Sequence, residues 1–118
     1  MPEGALFIGW GEPARDKEQK ALQVFAEALE YYQKLQDEGK ITSFEPVLLE
    51  PHGGELEGFF LLRGDEEGLA KLHASEEFNH LQNRVRLFVD HLAIVRGIVG
   101  DEMRRQMADY GQSIAALV

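Results

Sequence analysis

The segment Gly58-Phe-Phe-Leu-Leu-Arg-Gly64 sets the strongest limit on what this chain can become. Four consecutive apolar residues bounded by glycines suit a strand, and successive side chains of a strand point to opposite faces. Phe59 and Leu61 therefore share one face and Phe60 and Leu62 the other, and both faces are apolar. Ala5-Leu-Phe-Ile-Gly-Trp10 repeats the pattern, with Leu6, Ile8 and Trp10 opposed to Ala5 and Phe7. The β-branched-rich stretch Val85 to Val99 is expected to be another strand, with Val85, Leu87 and Val89 opposed to Phe88, Leu92 and Ile94. Asp90, His91 and Arg96 interrupt it. A sheet built from such strands is apolar front and back.

Helical spacing fills the gaps between these segments. Leu22, Phe25, Ala26, Leu29, Tyr32 and Leu35 recur at three- and four-residue steps, which predicts an amphipathic helix from about Asp16 to Glu38. Gly39 is placed as its stop. Lys40 to Glu50 reads as a strand, and because Pro46 cannot donate to a ladder, that strand belongs at a sheet edge. Pro51-His-Gly-Gly-Glu55 has the composition of a hairpin loop, so Leu56 to Arg63 should pair antiparallel with the edge strand. Asp65 is a natural N-cap for a helix carrying Leu69 and Leu72, and Ser75 for a further short helix carrying Phe78 and Leu81. The tail from about 101 to 117 is expected to be helical, with Met103, Met107, Tyr110, Ile114 and Leu117 forming a narrow apolar seam.

The order strand, helix, strand, strand, helix, strand, followed by a last helix, implies an α+β, ferredoxin-like βαββαβ unit with an antiparallel sheet. Its 118 residues are expected to make one domain. In that topology the second strand lies at an edge, in agreement with Pro46. Helices cover one sheet face, and an apolar face left bare exceeds what monomers usually expose. A second copy closing sheet against sheet would cover it, giving a homodimeric α+β barrel. The alternative cover is the C-terminal helix folded beneath its own sheet.

Composition narrows the function. There is no cysteine, hence no disulfide framework, thiolate nucleophile or zinc-thiolate site. Twelve basic against twenty-one acidic residues give a formal charge of −9, which argues against nucleic-acid binding. No apolar run approaches the roughly 20 residues of a membrane span, and a cytoplasmic location with no membrane partner is expected.

Phe44-Glu-Pro-Val-Leu-Leu-Glu-Pro-His-Gly-Gly54, Gly58-Phe-Phe-Leu-Leu-Arg-Gly64 and Ala74-Ser-Glu-Glu-Phe78 resemble small bacterial proteins of uncharacterised function in the dimeric α+β barrel superfamily. That superfamily includes antibiotic-biosynthesis and haem-degrading monooxygenases, muconolactone isomerases, YCII-like proteins and ligand-binding domains of Lrp-type regulators. The likeness runs over nearly the whole chain, and Ala74–Phe78 resembles a segment of the monooxygenase branch. The resemblance implies the fold and a dimer, and carries over no catalytic motif.

Asp90 and His91, polar residues inside an apolar stretch, are the candidate catalytic pair. Adjacent in a strand, they would face opposite sides, and a buried histidine or carboxylate there would serve as general base. Trp10 is a candidate wall for an aromatic ligand. His52, in the glycine-rich loop, and Tyr31, beside the helix stripe, are further candidate ligand contacts. His73 and His80 lack a metal-binding pattern such as H-E-x-x-H, so no metal or other cofactor is expected. The leading expectation is a small-molecule-binding protein or a cofactor-free monooxygenase or isomerase acting on a small apolar or aromatic compound. Its alternatives are a non-enzymatic dimeric interaction or regulatory module, and a haem-binding protein using Asn79, His80 and Trp10.

Overall fold

The computed structural model describes residues 2 to 117. Four strands, β1 (Glu3–Trp10), β2 (Ser43–Leu48), β3 (Gly58–Asp65) and β4 (Ala93–Gly97), alternate with α1 (Glu18–Asp37), α2 (Glu66–Ala74) and α3 (Glu76–Arg86), and α4 (Gly100–Ala116) follows. The sheet is antiparallel throughout, in the order β2-β3-β1-β4. This is the ferredoxin-like α+β fold expected from the element order. Pro46 lies in β2, an edge strand, where its missing N–H costs no central ladder bond.

Local signals act where expected. Gly39 ends α1 at φ +76°, a conformation that costs glycine little. Asp65 Oδ2 accepts from the Gly68 N–H at the start of α2, and Ser75 Oγ accepts from the Phe78 N–H at the start of α3. Each satisfies an orphan donor of a helix N-terminus.

The helix-side face of the sheet, Leu6, Ile8, Phe60 and Leu62, forms the core with Ala28, Tyr32 and Leu35 of α1, Leu69 and Leu72 of α2, and Phe78 and Leu81 of α3. The buried row of α1 is Val24, Ala28, Tyr32 and Leu35, rotated from the expected stripe. Phe25 and Leu29 flank this row half-buried, whereas Leu22 is 70% exposed and Ala26 is exposed. Two apolar rows run along this helix, and contact with the sheet selects the one containing small Ala28.

The largest departure lies in the Val85 to Val99 stretch. Val85 belongs to α3 rather than to a strand, because Phe78, Leu81, Gln82 and Val85 recur at helical spacing and face the core together. The chain then turns at 87–92, and β4 is only five residues long. A short apolar run fits a buried helix turn as well as a strand, and here packing on α1 decides. Asp90 and His91 therefore sit in an exposed turn and not on opposite faces of a strand.

On the other sheet face, Phe7 lies between Leu61 and Val95 in register, and Val47 opposes Phe59. The Phe7 and Phe59 rings stack with centroids 5.1 Å apart. Arg63, paired with Glu3 at 3.1 Å, lies in the same sheet row as Ser43 and Ala5. Among the described residues no helix covers this face: α4 has no buried residue and does not fold beneath its own sheet. Among the described residues, no helix is long and apolar enough to cross a membrane.

Candidate functional site

A hollow opens where α1 overhangs the ends of β1 and β3. The first turns of α1 pass above Trp10, while α3 has already ended at Arg86, so no second helix fills the space between α1 and the sheet end. The resulting cleft has a volume of about 400 Å³, with walls of Trp10, Ala21, Val24, Phe25, Val85 and Phe88. Leu22 and Leu48, both more than two-thirds exposed, stand at its mouth, and Glu18 and Glu57 are the charged residues among its lining.

Trp10 is held by aromatic contacts rather than by a polar anchor. Its ring lies edge-on to Phe25, with centroids 5.7 Å apart, and tilted against Phe60 at 5.0 Å. Phe25 in turn stacks on Phe60 at 5.4 Å. Offset and edge-to-face pairs of this kind fix ring orientation as well as burying area. The indole is thereby presented to the cleft as a flat, pre-positioned wall.

A clasp of backbone hydrogen bonds closes the end of the cleft. Gly11 N–H donates to Asp90 carbonyl oxygen at 2.7 Å, Asp90 N–H to Glu12 carbonyl oxygen at 2.9 Å, and Ala14 N–H to Phe88 carbonyl oxygen at 2.7 Å. Pro13 and Val89 complete this ladder, which binds the segment after β1 to the turn after α3. Lys17 lies over the Phe88 ring, 5.7 Å from its centre, and supports the same wall.

The candidate residues do not gather in one place. Trp10 lines the cleft. Asp90 and His91 lie just outside it: the Asp90 carbonyl belongs to the clasp, and a Cβ built on Gly11, which lines the cleft, would stand 3.2 Å from the His91 ring. Both side chains are exposed. His91 has φ +57°, unusual for a residue with a Cβ, and its Nδ1 lies 3.7 Å from a Glu55 carboxylate oxygen. Sequence reasoning missed Glu55 because it comes from the loop before β3.

His52 holds its own loop together. Its Nδ1 accepts from the Gly54 N–H at 3.2 Å, so the ring proton sits on Nε2, which donates to the Leu56 carbonyl at 2.8 Å. Tyr31 lines a separate hollow of about 510 Å³ between α1 and α2, with Lys34, Lys71 and Glu77 nearby. Burial chiefly, and the Glu77 charge next, raise its hydroxyl pKa. Asn79 and His80, exposed on α3, do not line the Trp10 cleft, and the Asn79 amide is committed to the His73 and Ser75 carbonyls.

Phe25 was legible as part of a helix stripe, and Val85 and Phe88 only as residues on opposite faces of an expected strand. Their role as cleft walls depends on where α3 stops, which no local signal announced.

No family model matches this chain, and no curated protein matches it by sequence. Its fold is shared with solved structures of low identity. A dimeric ferredoxin-like protein of unknown function from Jannaschia is 15% identical with a TM-score of 0.63, over 81% of this chain and 99% of that one. A dimeric protein of unknown function and ferredoxin-like fold from Bacteroides fragilis is 12% identical with a TM-score of 0.62, over 82% and 96%. SnoaB, a cofactor-independent oxygenase from Streptomyces nogalater, is 11% identical with a TM-score of 0.57, over 86% and 96%.

Proposed function

We propose that this chain is a small-molecule-binding subunit of a homodimeric α+β barrel, and that its ligand is a small apolar or aromatic compound seated beside Trp10. The observation that carries this reading is the cleft itself. At about 400 Å³ it falls within the roughly 300–1,000 Å³ usual for ligand sites. Its walls are almost wholly apolar, and its main ring is held in place before any ligand arrives.

The chemistry best suited to such a site is proton abstraction from the ligand without a cofactor, in an oxygenase- or isomerase-type reaction. His91 or Asp90 is the proposed base. The His91 ring borders Gly11 at the cleft's end, a Glu55 carboxylate oxygen lies 3.7 Å from its Nδ1, and its left-handed backbone is a conformation that recurs at functional sites. The neighbour described as a cofactor-independent oxygenase supports this class of reaction. Tyr31 and His52 are proposed only as outer contacts for a ligand larger than the cleft.

The homodimer is supported by the uncovered face around Phe7, Phe59, Leu61 and Val95, and by neighbours described as dimeric. A second reading is a dimeric interaction module without chemistry. The exposure of both Asp90 and His91 favours it.

Trp10 is the sole tryptophan, so binding is read from its fluorescence. Titration with 1-naphthol is expected to quench and shift the emission, and Ala21→Phe, which fills the cleft, is expected to weaken that binding at least tenfold. Equal titration curves for the two folded proteins would overturn the ligand reading. Static light scattering should return twice the 13.3 kDa chain mass, and Leu61→Glu should return that mass once.

A further inference from the structure

We infer that α4 is an exchanged arm, the Gly100–Ala116 helix of each chain lying along the other copy with its Met103, Met107, Tyr110 and Ile114 seam against the partner. This rests on the homodimer proposed above and adds how the two copies are joined.

The helix has little of its own to hold it. It is 17 residues long, its N-cap Val99 supplies no side-chain hydrogen bond, and Gly111 lies in its interior. Helices in proteins draw most of their stability from packing an apolar face rather than from propensity, and an interior glycine lowers helix propensity by about 1 kcal/mol relative to alanine. Arg105 bridges Glu102 and Asp109 along one side, but exposed pairs of this kind contribute little. A helix so composed is ordered by packing an apolar face on another surface.

Its own chain offers no such surface. Gly100, at φ +63°, turns the backbone away after β4, and no α4 residue is buried. Met107, Tyr110 and Leu117 are 63%, 63% and 87% exposed. The 4-3-4-3 spacing of the seam suits close packing along one partner.

Two observations name a second copy as that partner. Exposed apolar residues recur along the chain, Val95 on the bare sheet face, then Ile98 and Met103, so a copy covering the sheet is already beside the root of the arm. The surface area agrees. A compact monomer of this mass exposes about 6,450 Å², whereas this chain exposes 8065 Å². The excess, about 1,600 Å², is roughly twice what each partner loses in a standard interface. The radius of gyration, 16.6 Å, likewise exceeds the about 13–14 Å of a compact chain of this length. A lipid surface fits less well, because Asp101, Glu102 and Asp109 border the helix and the chain carries −9 overall.

The test uses the full chain, which contains no cysteine. Met107→Cys, labelled with benzophenone maleimide and irradiated, is expected to yield a covalent product of twice 13.3 kDa. In the unmodified protein, α4 amides should exchange with solvent at least a hundredfold more slowly than a free helix allows. Met107→Glu combined with Ile114→Glu should raise the dimer dissociation constant at least tenfold. If scattering returns a dimer but crosslinks form only within a chain, or α4 amides exchange freely, the arm is refuted and the sheet-face dimer stands. If scattering returns a monomer, both readings fall.

Discussion

Gln82 on α3 donates through Nε2 to the Tyr32 hydroxyl on α1 at 2.9 Å, with the two residues only 2% and 1% exposed. This buried polar contact ties the two helices together above the sheet. Gln82 Oε1 is buried with no partner, so the amide is half-satisfied.

Removing one member leaves the other with nothing. Tyr32→Phe is expected to destabilise the fold by about 1–3 kcal/mol, the cost of an unpaired buried amide. Replacing both, as Tyr32→Phe with Gln82→Leu, should recover part of that loss, because an apolar pair needs no hydrogen bond. Urea denaturation of the two single mutants and the double mutant measures the coupling. Strictly additive losses would show that the contact is not energetically shared.

Burial, first of all, holds the Tyr32 hydroxyl well above its ordinary pKa, with the neighbouring Tyr31 adding to the rise and the Gln82 hydrogen bond opposing it. The folded chain therefore keeps this proton at pH values where the unfolded chain has lost it. That contribution to stability is fully present below about pH 10 and is lost as pH climbs beyond it. Melting temperature against pH should fall on the alkaline side, less steeply in Tyr32→Phe than in the parent. Identical alkaline limbs would contradict the assignment.

Gly58 lets two strands and the cleft wall meet. A Cβ there would lie 2.7 Å from the Val47 carbonyl oxygen and 2.7 Å from the Trp10 ring. Gly58→Ala must therefore push β2 away or displace the indole, a form of overpacking that costs about 1–3 kcal/mol. Trp10 emission should move at the same time, and 1-naphthol binding should weaken. A mutant with unaltered stability and emission would mean that the strand relaxes freely.

His91 separates backbone from chemistry. Its left-handed φ suits glycine, so His91→Gly should leave stability unchanged or raise it by up to about 1 kcal/mol. If His91 is the base, the same change abolishes turnover of a bound substrate while 1-naphthol still quenches Trp10. Undiminished turnover would remove His91 from the mechanism and leave the interaction-module reading in front.

Much of the architecture was legible because its causes are local. Phe59 to Leu62 is apolar on both faces whatever surrounds it, Pro46 cannot enter a central ladder, and Asp65 and Ser75 cap helices with their own side chains. The candidate site was legible only through Trp10. The Val85 stretch has an apolar, β-branched composition that fits a strand or a buried helix turn equally, and its seat against α1 decided between them. Once α3 absorbed Val85, Asp90 and His91 moved out to the clasp at the cleft's end, where His91 meets Glu55 of another loop.

By itself, then, the chain determined the order of its elements, the edge position of Pro46 and the apolar character of both sheet faces. Those follow from side-chain periodicity and backbone chemistry within a few residues. Only the tertiary structure decided that Val24 and Ala28 seat α1, that α1 overhangs a hollow beside Trp10, and that α4 is left without cover from its own chain. Each of these depends on which surfaces remain after distant segments have packed. That is a property of the assembled layers, and no stretch of sequence carries it alone.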